Sequence, residues 1–358
     1  MGLYSHLNIT SADDLLQARN LVPPTRVSHD SAWTLEKLQE HLQWAVDIEL
    51  YTIPFYMASM YSIKDQSAEA RRLLRSVVNQ EMLHMQCAAN IANAYGTELV
   101  IRAPSYGGAI PHLDFALDTP NPTEIFTPYS TTIGPLDVAH INAMCIIEFP
   151  DWDKCHSQNE GDEYGSIGEF YKAVRRGAVV LADNIQANRN QVGHFKAIYP
   201  DAGSLTITEQ GEAGLAQVNN LINLIVDQGE GDSGRDARAE LSERTDPLKG
   251  SFVDSKYQNN VDDLQPTWDH FEKFSYLRGQ PLPETYPITF GSDRGREVQD
   301  ILLGHFGEFL IEMNKVFRGQ DGRNFGNTMY KVGAGIAACW ENGVAPIFAK
   351  PAEQQENK

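Results

Sequence analysis

The sequence predicts a mainly α-helical protein, a helical bundle with long irregular loops and extra helices in its C-terminal part. Apolar residues recur at alternating steps of three and four along several segments, which is the period of one helix face. Segments with the strict alternation of β-strands are scarce. No repeat of about 20–50 residues is present, which disfavours solenoids and propellers.

The first two predicted helices carry the clearest pattern. Residues 34–61 place Glu49 on an otherwise apolar stripe, and Thr34 is positioned to cap the N-terminus of this helix. Residues 67–95 form the second helix, which ends at Gly96, where a left-handed cap is favoured. Further helices are predicted at residues 136–149, 166–190, 208–228, 270–277, 296–317 and 327–340.

The predicted organisation is one helical domain at residues 34–345, after an N-terminal extension at residues 1–33. A polar tail at residues 346–358 follows it. Loop insertions are expected near residues 102–135, which are rich in Pro, Gly and Thr, and near residues 229–263, which are polar. We expect these loops to cap a pocket.

Composition excludes several classes of partner. The 358 residues include 48 Asp and Glu against 29 Lys and Arg, a formal charge of −19, which repels nucleic acid and anionic lipid. No apolar run approaches the roughly 20 residues of a membrane-spanning helix. The four cysteines form no C-x-x-C motif, and no leader is evident, so a soluble, cytoplasmic protein is expected.

Two carboxylates and a histidine interrupt the apolar stripes of the first two helices. Glu49 lies on the stripe of the first helix, and Glu81 and His84 lie on that of the second with i, i+3 spacing. An isolated carboxylate in an apolar interior costs several kcal/mol, so it takes up a proton, pairs with a cation or binds a metal. A Glu-x-x-His helix beside a helix with a Glu forms half of a two-metal site.

The second half of such a site has several candidates, and the residues alone leave the choice open. Glu148 lies on an apolar stripe, and Glu169 comes early in the next helix. His270 interrupts an aromatic cluster, and Glu230 lies in a Gly-rich stretch. The ordinary alternatives are a paired buried carboxylate and a core histidine bonded to a carbonyl. Mixed carboxylate and imidazole ligands suit iron, manganese or zinc.

Six segments together carry a resemblance to a known family: 44–56 (WAVDIELYTIPFY), 61–64 (YSIK), 75–84 (RSVVNQEMLH), 164–171 (YGSIGEFY), 228–231 (QGEG) and 269–274 (DHFEKF). They resemble the ferritin-like domain of the iminophenyl-pyruvate dimer synthase family. That family includes the synthases that couple two imines of aromatic 2-oxo acids in bisindole pigment biosynthesis. The resemblance spans roughly residues 35–340, with two departures. The fourth core helix lacks a Glu-x-x-His motif, and the pigment synthases are much longer chains.

The resemblance implies a ferritin-like four-helix bundle with a carboxylate-bridged metal pair. About two iron ions per chain are expected, with manganese as the alternative. Carried over by position, the implied metal ligands are Glu49, Glu81, His84, Glu169, Glu230 and His270. The resemblance implies that four of these ligands also take part in catalysis, namely Glu49, Glu81, His84 and Glu169.

The expected function is a dinuclear non-haem iron oxidase or oxygenase. It would use dioxygen to oxidise a small, amino-acid-derived substrate in specialised metabolism, and it could form a homodimer. The first alternative is a ferritin-like protein that binds or stores iron without an organic substrate, and the second is a metal-free structural bundle. The predicted pocket walls include Tyr51, Tyr171, Phe271 and Tyr276.

Overall fold

The computed structural model describes residues 11–108, 110, 114, 121–150, 163–195, 204–229, 263–289 and 291–350. Within these ranges the chain forms ten α-helices and isolated β-bridges, but no strand, which confirms the predicted fold class. The helices are α1 (Ala12–Leu16), α2 (Leu35–Ser62), α3 (Glu69–Ala94), α4 (Pro122–Ile125), α5 (Val138–Ile147), α6 (Ile167–Val180), α7 (Gly211–Gly229), α8 (His270–Arg278), α9 (Asp293–Val316) and α10 (Phe325–Glu341).

Four helices close a ring at the centre of the fold. Helix α2 packs against α3, α3 against α7, α7 against α6, and α6 against α2. Outside this ring α5 and α8 pack against each other, and α8 also touches α3 and α7. The C-terminal helices add a further layer, in which α10 packs on α2 and α9 packs on α10. In the described part of the chain, no helix is long and apolar enough to cross a membrane.

Helix α2 is buried on almost every side along its central turns. Buried residues run without a gap from His41 to Met60, because α3, α6 and α10 cover different faces of the helix. The inward stripe predicted from sequence is therefore one of several buried faces. The helix continues through Pro54, which is buried and has no backbone N–H to donate to the helix.

The structure confirms the predicted ends of the first two helices and shortens a later one. Thr34 Oγ1 accepts a hydrogen bond from the backbone N–H of Lys37 at 3.2 Å, and Gly96 adopts a φ of 76°. The prediction of one helix over residues 166–190 is wrong, because α6 ends at Val180. A short 3₁₀ turn follows, and Asn190 has a left-handed φ of 47° that no α-helix accommodates.

Candidate metal centre

Five titratable side chains from four helices meet in the interior. Glu49 comes from α2, and Glu81 and His84 come from α3. Glu148 follows the last residue of α5, and His270 is the first residue of α8. None of the five is more than 6% exposed.

His270 lies between two of the carboxylates. Its Nδ1 is 2.8 Å from Glu81 Oε1 and 3.5 Å from Glu148 Oε2. His84 Nδ1 is 3.8 Å from Glu49 Oε2, and the centroids of the two imidazole rings are 5.2 Å apart. Glu81, His84 and His270 each offer a ligand atom within 4.8 Å of the other two, a spacing that suits coordination of one metal ion.

Each imidazole is oriented by a glutamine on the side away from the carboxylates. His84 Nε2 lies 3.1 Å from Gln228 Oε1, and His270 Nε2 lies 3.1 Å from Gln80 Oε1. A carbonyl oxygen only accepts, so each Nε2 carries the hydrogen. On both rings Nδ1 faces the carboxylates, so this nitrogen can offer its lone pair to a metal while Nε2–H is held by the glutamine.

Each of the three carboxylates accepts a hydrogen bond from a hydroxyl group. Tyr171 Oη donates to Glu49 Oε1 at 2.5 Å, and Tyr56 Oη donates to Glu148 Oε1 at 2.6 Å. Thr52 Oγ1 lies 2.8 Å from both Glu81 Oε2 and the backbone carbonyl oxygen of Glu49, so its single hydrogen is shared between these two acceptors. These donors hold one oxygen of each carboxylate and leave the other directed at the imidazoles.

Burial and neighbouring charges set the protonation of the group. Burial, aided by nearby Glu81, raises the pKa of Glu49 well above its usual value. Burial lowers the pKa of His84 well below its usual value, so its ring is neutral. Burial alone would also lower the pKa of His270, but Glu148 and Glu81 outweigh burial and raise that pKa to about 9.

The donor set fits a metal ion in two further respects. Glu81 Oε1 and His270 Nδ1 are buried and lie close together, yet neither makes a hydrogen bond of acceptable geometry. Both atoms can act as metal ligands once the ring has lost its proton. The described residues that line the adjoining cavity include no Lys or Arg, so a cation there would compensate the buried carboxylates.

The cavity beside the group is lined by both polar and apolar residues. The empty space within its lining is about 340 Å³, which includes space open to solvent. The polar lining residues are Glu49, Thr52, Glu81, His84, Glu148 and Tyr171. The others are Ile48, Ile167, Ile225, Val226 and Gly229.

Of the predicted site residues, the structure brings Glu49, Glu81, His84 and His270 together and places Glu169 elsewhere. Glu169 accepts from the backbone N–H of Gly165 at 2.7 Å and pairs with Arg26 at 2.7 Å. Its own N–H donates to Ser166 Oγ, so Ser166 and Glu169 act as a helix cap. The Ser-x-x-Glu spacing is the sequence signal for this role.

Glu148, the alternative candidate to Glu169 or Glu230, is the third carboxylate of the group. Glu230 lies outside the described residues, as does most of the loop predicted near 229–263. Of the four predicted wall aromatics, Tyr171 lines the cavity, whereas Tyr51, Phe271 and Tyr276 are not among its lining residues. Gln80 and Gln228 lie within the segments 75–84 and 228–231, but nothing in the sequence indicates that they orient the two imidazoles.

Comparison with known proteins agrees with this architecture. Residues 42–278, more than half of the chain, match the family described as Ferritin-like. The chain is also similar to a ferritin-like protein from Caulobacter vibrioides with a solved crystal structure. The two share 39% sequence identity and superpose with a TM-score of 0.73, covering 88% of this chain and 99% of that one. Among curated proteins none matches this chain. With a helical ring and a buried carboxylate and histidine group in the matched segment, the chain belongs to the ferritin-like family.

Proposed function

We propose that this protein is a dinuclear non-haem iron oxidase or oxygenase that oxidises a small organic substrate with dioxygen. The observation that carries the proposal is the group of three buried carboxylates and two imidazoles, four of whose five members line a cavity that also has apolar walls. A storage site needs no apolar chamber beside its metal ligands, whereas an oxidase must seat an organic molecule there.

Glu49, Glu81, His84, Glu148 and His270 would hold the metal ions. Bound iron would supply the redox reaction with dioxygen that protein side chains cannot perform. The protein's own contribution is to fix the ligands through buried hydroxyl and amide groups and to exclude bulk water with the isoleucine side chains of the cavity.

The substrate class rests on two supports. The apolar wall formed by Ile48, Ile167 and Ile225 favours an uncharged or aromatic portion of a small molecule. The resemblance to the iminophenyl-pyruvate dimer synthase family supports an amino-acid-derived compound, such as an imine or 2-oxo acid of an aromatic amino acid. Such a substrate would place its reacting end toward the carboxylates and its ring toward the isoleucines.

The test of this function begins with metal content. Protein produced in iron-rich medium should contain about two iron ions per chain, and H84A should lose most of them because a ligand is gone. The iron-loaded protein should then consume dioxygen faster when aromatic amino acids or their 2-oxo acids are added. Wild-type protein without any bound transition metal would overturn the proposal.

A ferrous iron titration in air separates this function from storage. The enzyme should stop taking up iron at about two ions per chain. Continued mineralisation far beyond that ratio, with no acceleration of dioxygen consumption by any organic compound tested, would favour the storage alternative.

Gly229 should control access to the centre, because a Cβ at this position would lie 3.6 Å from Glu148 Oε2. That is an ordinary contact, so G229A should bind metal and small anions like the wild type. G229F would fill the cavity, and overpacking of about 1–3 kcal/mol corresponds to roughly 5- to 150-fold weaker binding. Azide titration of the iron-loaded variants, followed by absorption spectroscopy, measures this. Equal azide affinity in both variants would contradict it.

A further inference from the structure

A buried ion pair lies behind His270, on the side away from the carboxylates. Lys273 Nζ is 2.9 Å from Asp263 Oδ1, and both side chains are fully buried. Lysine is almost never buried completely, and this one lies one turn of α8 beyond His270. Replacing such a pair by apolar residues is often neutral for stability, so its presence here calls for another role.

The ion pair is joined to His270 through Gln80. Lys273 Nζ donates to Gln80 Oε1 at 3.0 Å, and Gln80 Nε2 donates to Asp263 Oδ2 at 3.0 Å. The same Gln80 Oε1 lies 3.1 Å from His270 Nε2. The side chain of Gln80 is itself fully buried on α3, one residue before Glu81.

Only one orientation of the Gln80 amide satisfies these neighbours. An ammonium group has donors alone, and a carboxylate has acceptors alone. Rotating the amide by 180° would turn its NH₂ group toward Lys273 and its oxygen toward Asp263, which would create two repulsive contacts in a buried site. The ion pair therefore fixes the carbonyl oxygen on the side of His270.

The orientation of the amide decides which ring nitrogen of His270 is available to a metal. A carbonyl oxygen at Nε2 requires a hydrogen on that nitrogen, and the neutral ring then has its lone pair on Nδ1. With the amide reversed, Nε2 would face an NH₂ donor, and the favoured neutral tautomer would carry its hydrogen on Nδ1, toward Glu81.

We propose that Lys273 and Asp263 are positioning residues that lock the Gln80 amide and thereby fix His270 as an Nδ1 metal ligand. The inference rests on the proposed metal centre, but it does not depend on the substrate or on the reaction. Residues 269–273 (DHFEK) would then supply both a metal ligand, His270, and a residue that positions it, Lys273.

The test replaces the ion pair with apolar residues of similar size, in the double variant K273M/D263L. Removing both charges avoids leaving either one buried alone, so the variant should fold and melt close to the wild type. Its affinity for Zn²⁺ should fall by about 10- to 100-fold, the usual cost of losing an outer partner of a ligand. Competition with a chromophoric chelator measures this affinity.

A second readout distinguishes positioning from general structural support. In wild-type protein loaded with Zn²⁺, ¹⁵N NMR should show His270 protonated at Nε2 and ligated through Nδ1. The double variant should show a mixture of ring states or no ligation by His270. The control K315M/E312L removes a partly exposed ion pair on α9, outside the ring of helices, and should change neither affinity nor ring state.

The outcomes separate the two proposals. Wild-type affinity and an unchanged His270 spectrum in K273M/D263L would overturn the positioning role and leave the metal centre intact. Nε2 ligation in the wild type would overturn it equally. A wild-type protein that binds no metal ion would overturn both the positioning role and the proposed function.

Discussion

E148Q should abolish binding of at least one of the two metal ions, whereas E169Q should retain both. Glu148 Oε2 faces His270 Nδ1 at 3.5 Å in the buried group, and a neutral amide is a far weaker ligand than a carboxylate. The loss of affinity should exceed the roughly 10- to 100-fold that removal of an outer partner costs. Iron analysis of the purified variants, followed by chelator competition, measures the difference.

The two variants form a matched pair because both remove one negative charge without changing side-chain volume. In E148Q the amide oxygen can still accept the hydrogen bond from Tyr56. In E169Q the altered group is the partner of Arg26 at the start of α6, so a small loss of stability is the expected effect. Loss of metal in E169Q with full retention in E148Q would show that the ligand comes from α6 after all.

The burial of Glu49, Glu81 and His84 could be predicted from the sequence because these residues lie on regular helices. Glu49 in α2 and the pair Glu81 and His84 in α3 occupy the same stripes as the apolar residues around them, so their inward direction follows from the helical period. The caps at Thr34 and Gly96 likewise follow from local chemistry, and the structure confirms them.

The other two members of the group lie at helix ends, where the helical period does not predict which way a side chain points. Glu148 and His270 stand at the end of α5 and the start of α8, and their meeting depends on how these two helices pack. Glu169 lies outside the group, because its carboxylate is held at the start of α6 by Arg26 and by the backbone N–H of Gly165. The link from Lys273 to His270 through Gln80 depends on tertiary contacts alone.

The stability of the metal-free protein should fall as pH rises from 7 to 9, by about 2 kcal/mol. The pKa of His270 is about 9 in the folded chain against 6.5 for the free side chain, so its stabilising effect is complete below pH 6.5 and is lost as pH rises through 9. Burial and Glu81 also raise the pKa of Glu49, so stability likewise falls as pH rises toward the folded pKa of that carboxyl. Denaturant unfolding of chelator-treated protein across this range measures the change.

Two other buried groups contribute little to stability changes above pH 7. Burial lowers the pKa of His41 to about 4, so this residue completes its titration below the range. Burial raises the pKa of Asp47 to about 7, so Asp47 is half ionised at pH 7 and only about 0.4 kcal/mol of its effect on stability develops above that pH. D47N should therefore keep most of the slope between pH 7 and pH 9. Zn²⁺ at saturating concentration should remove or reverse it, because the metal replaces the proton on His270 and binds more tightly as protons become scarce. A flat stability profile in the metal-free wild type would mean that His270 does not hold a proton between Glu81 and Glu148, and that these carboxylates are compensated in another way.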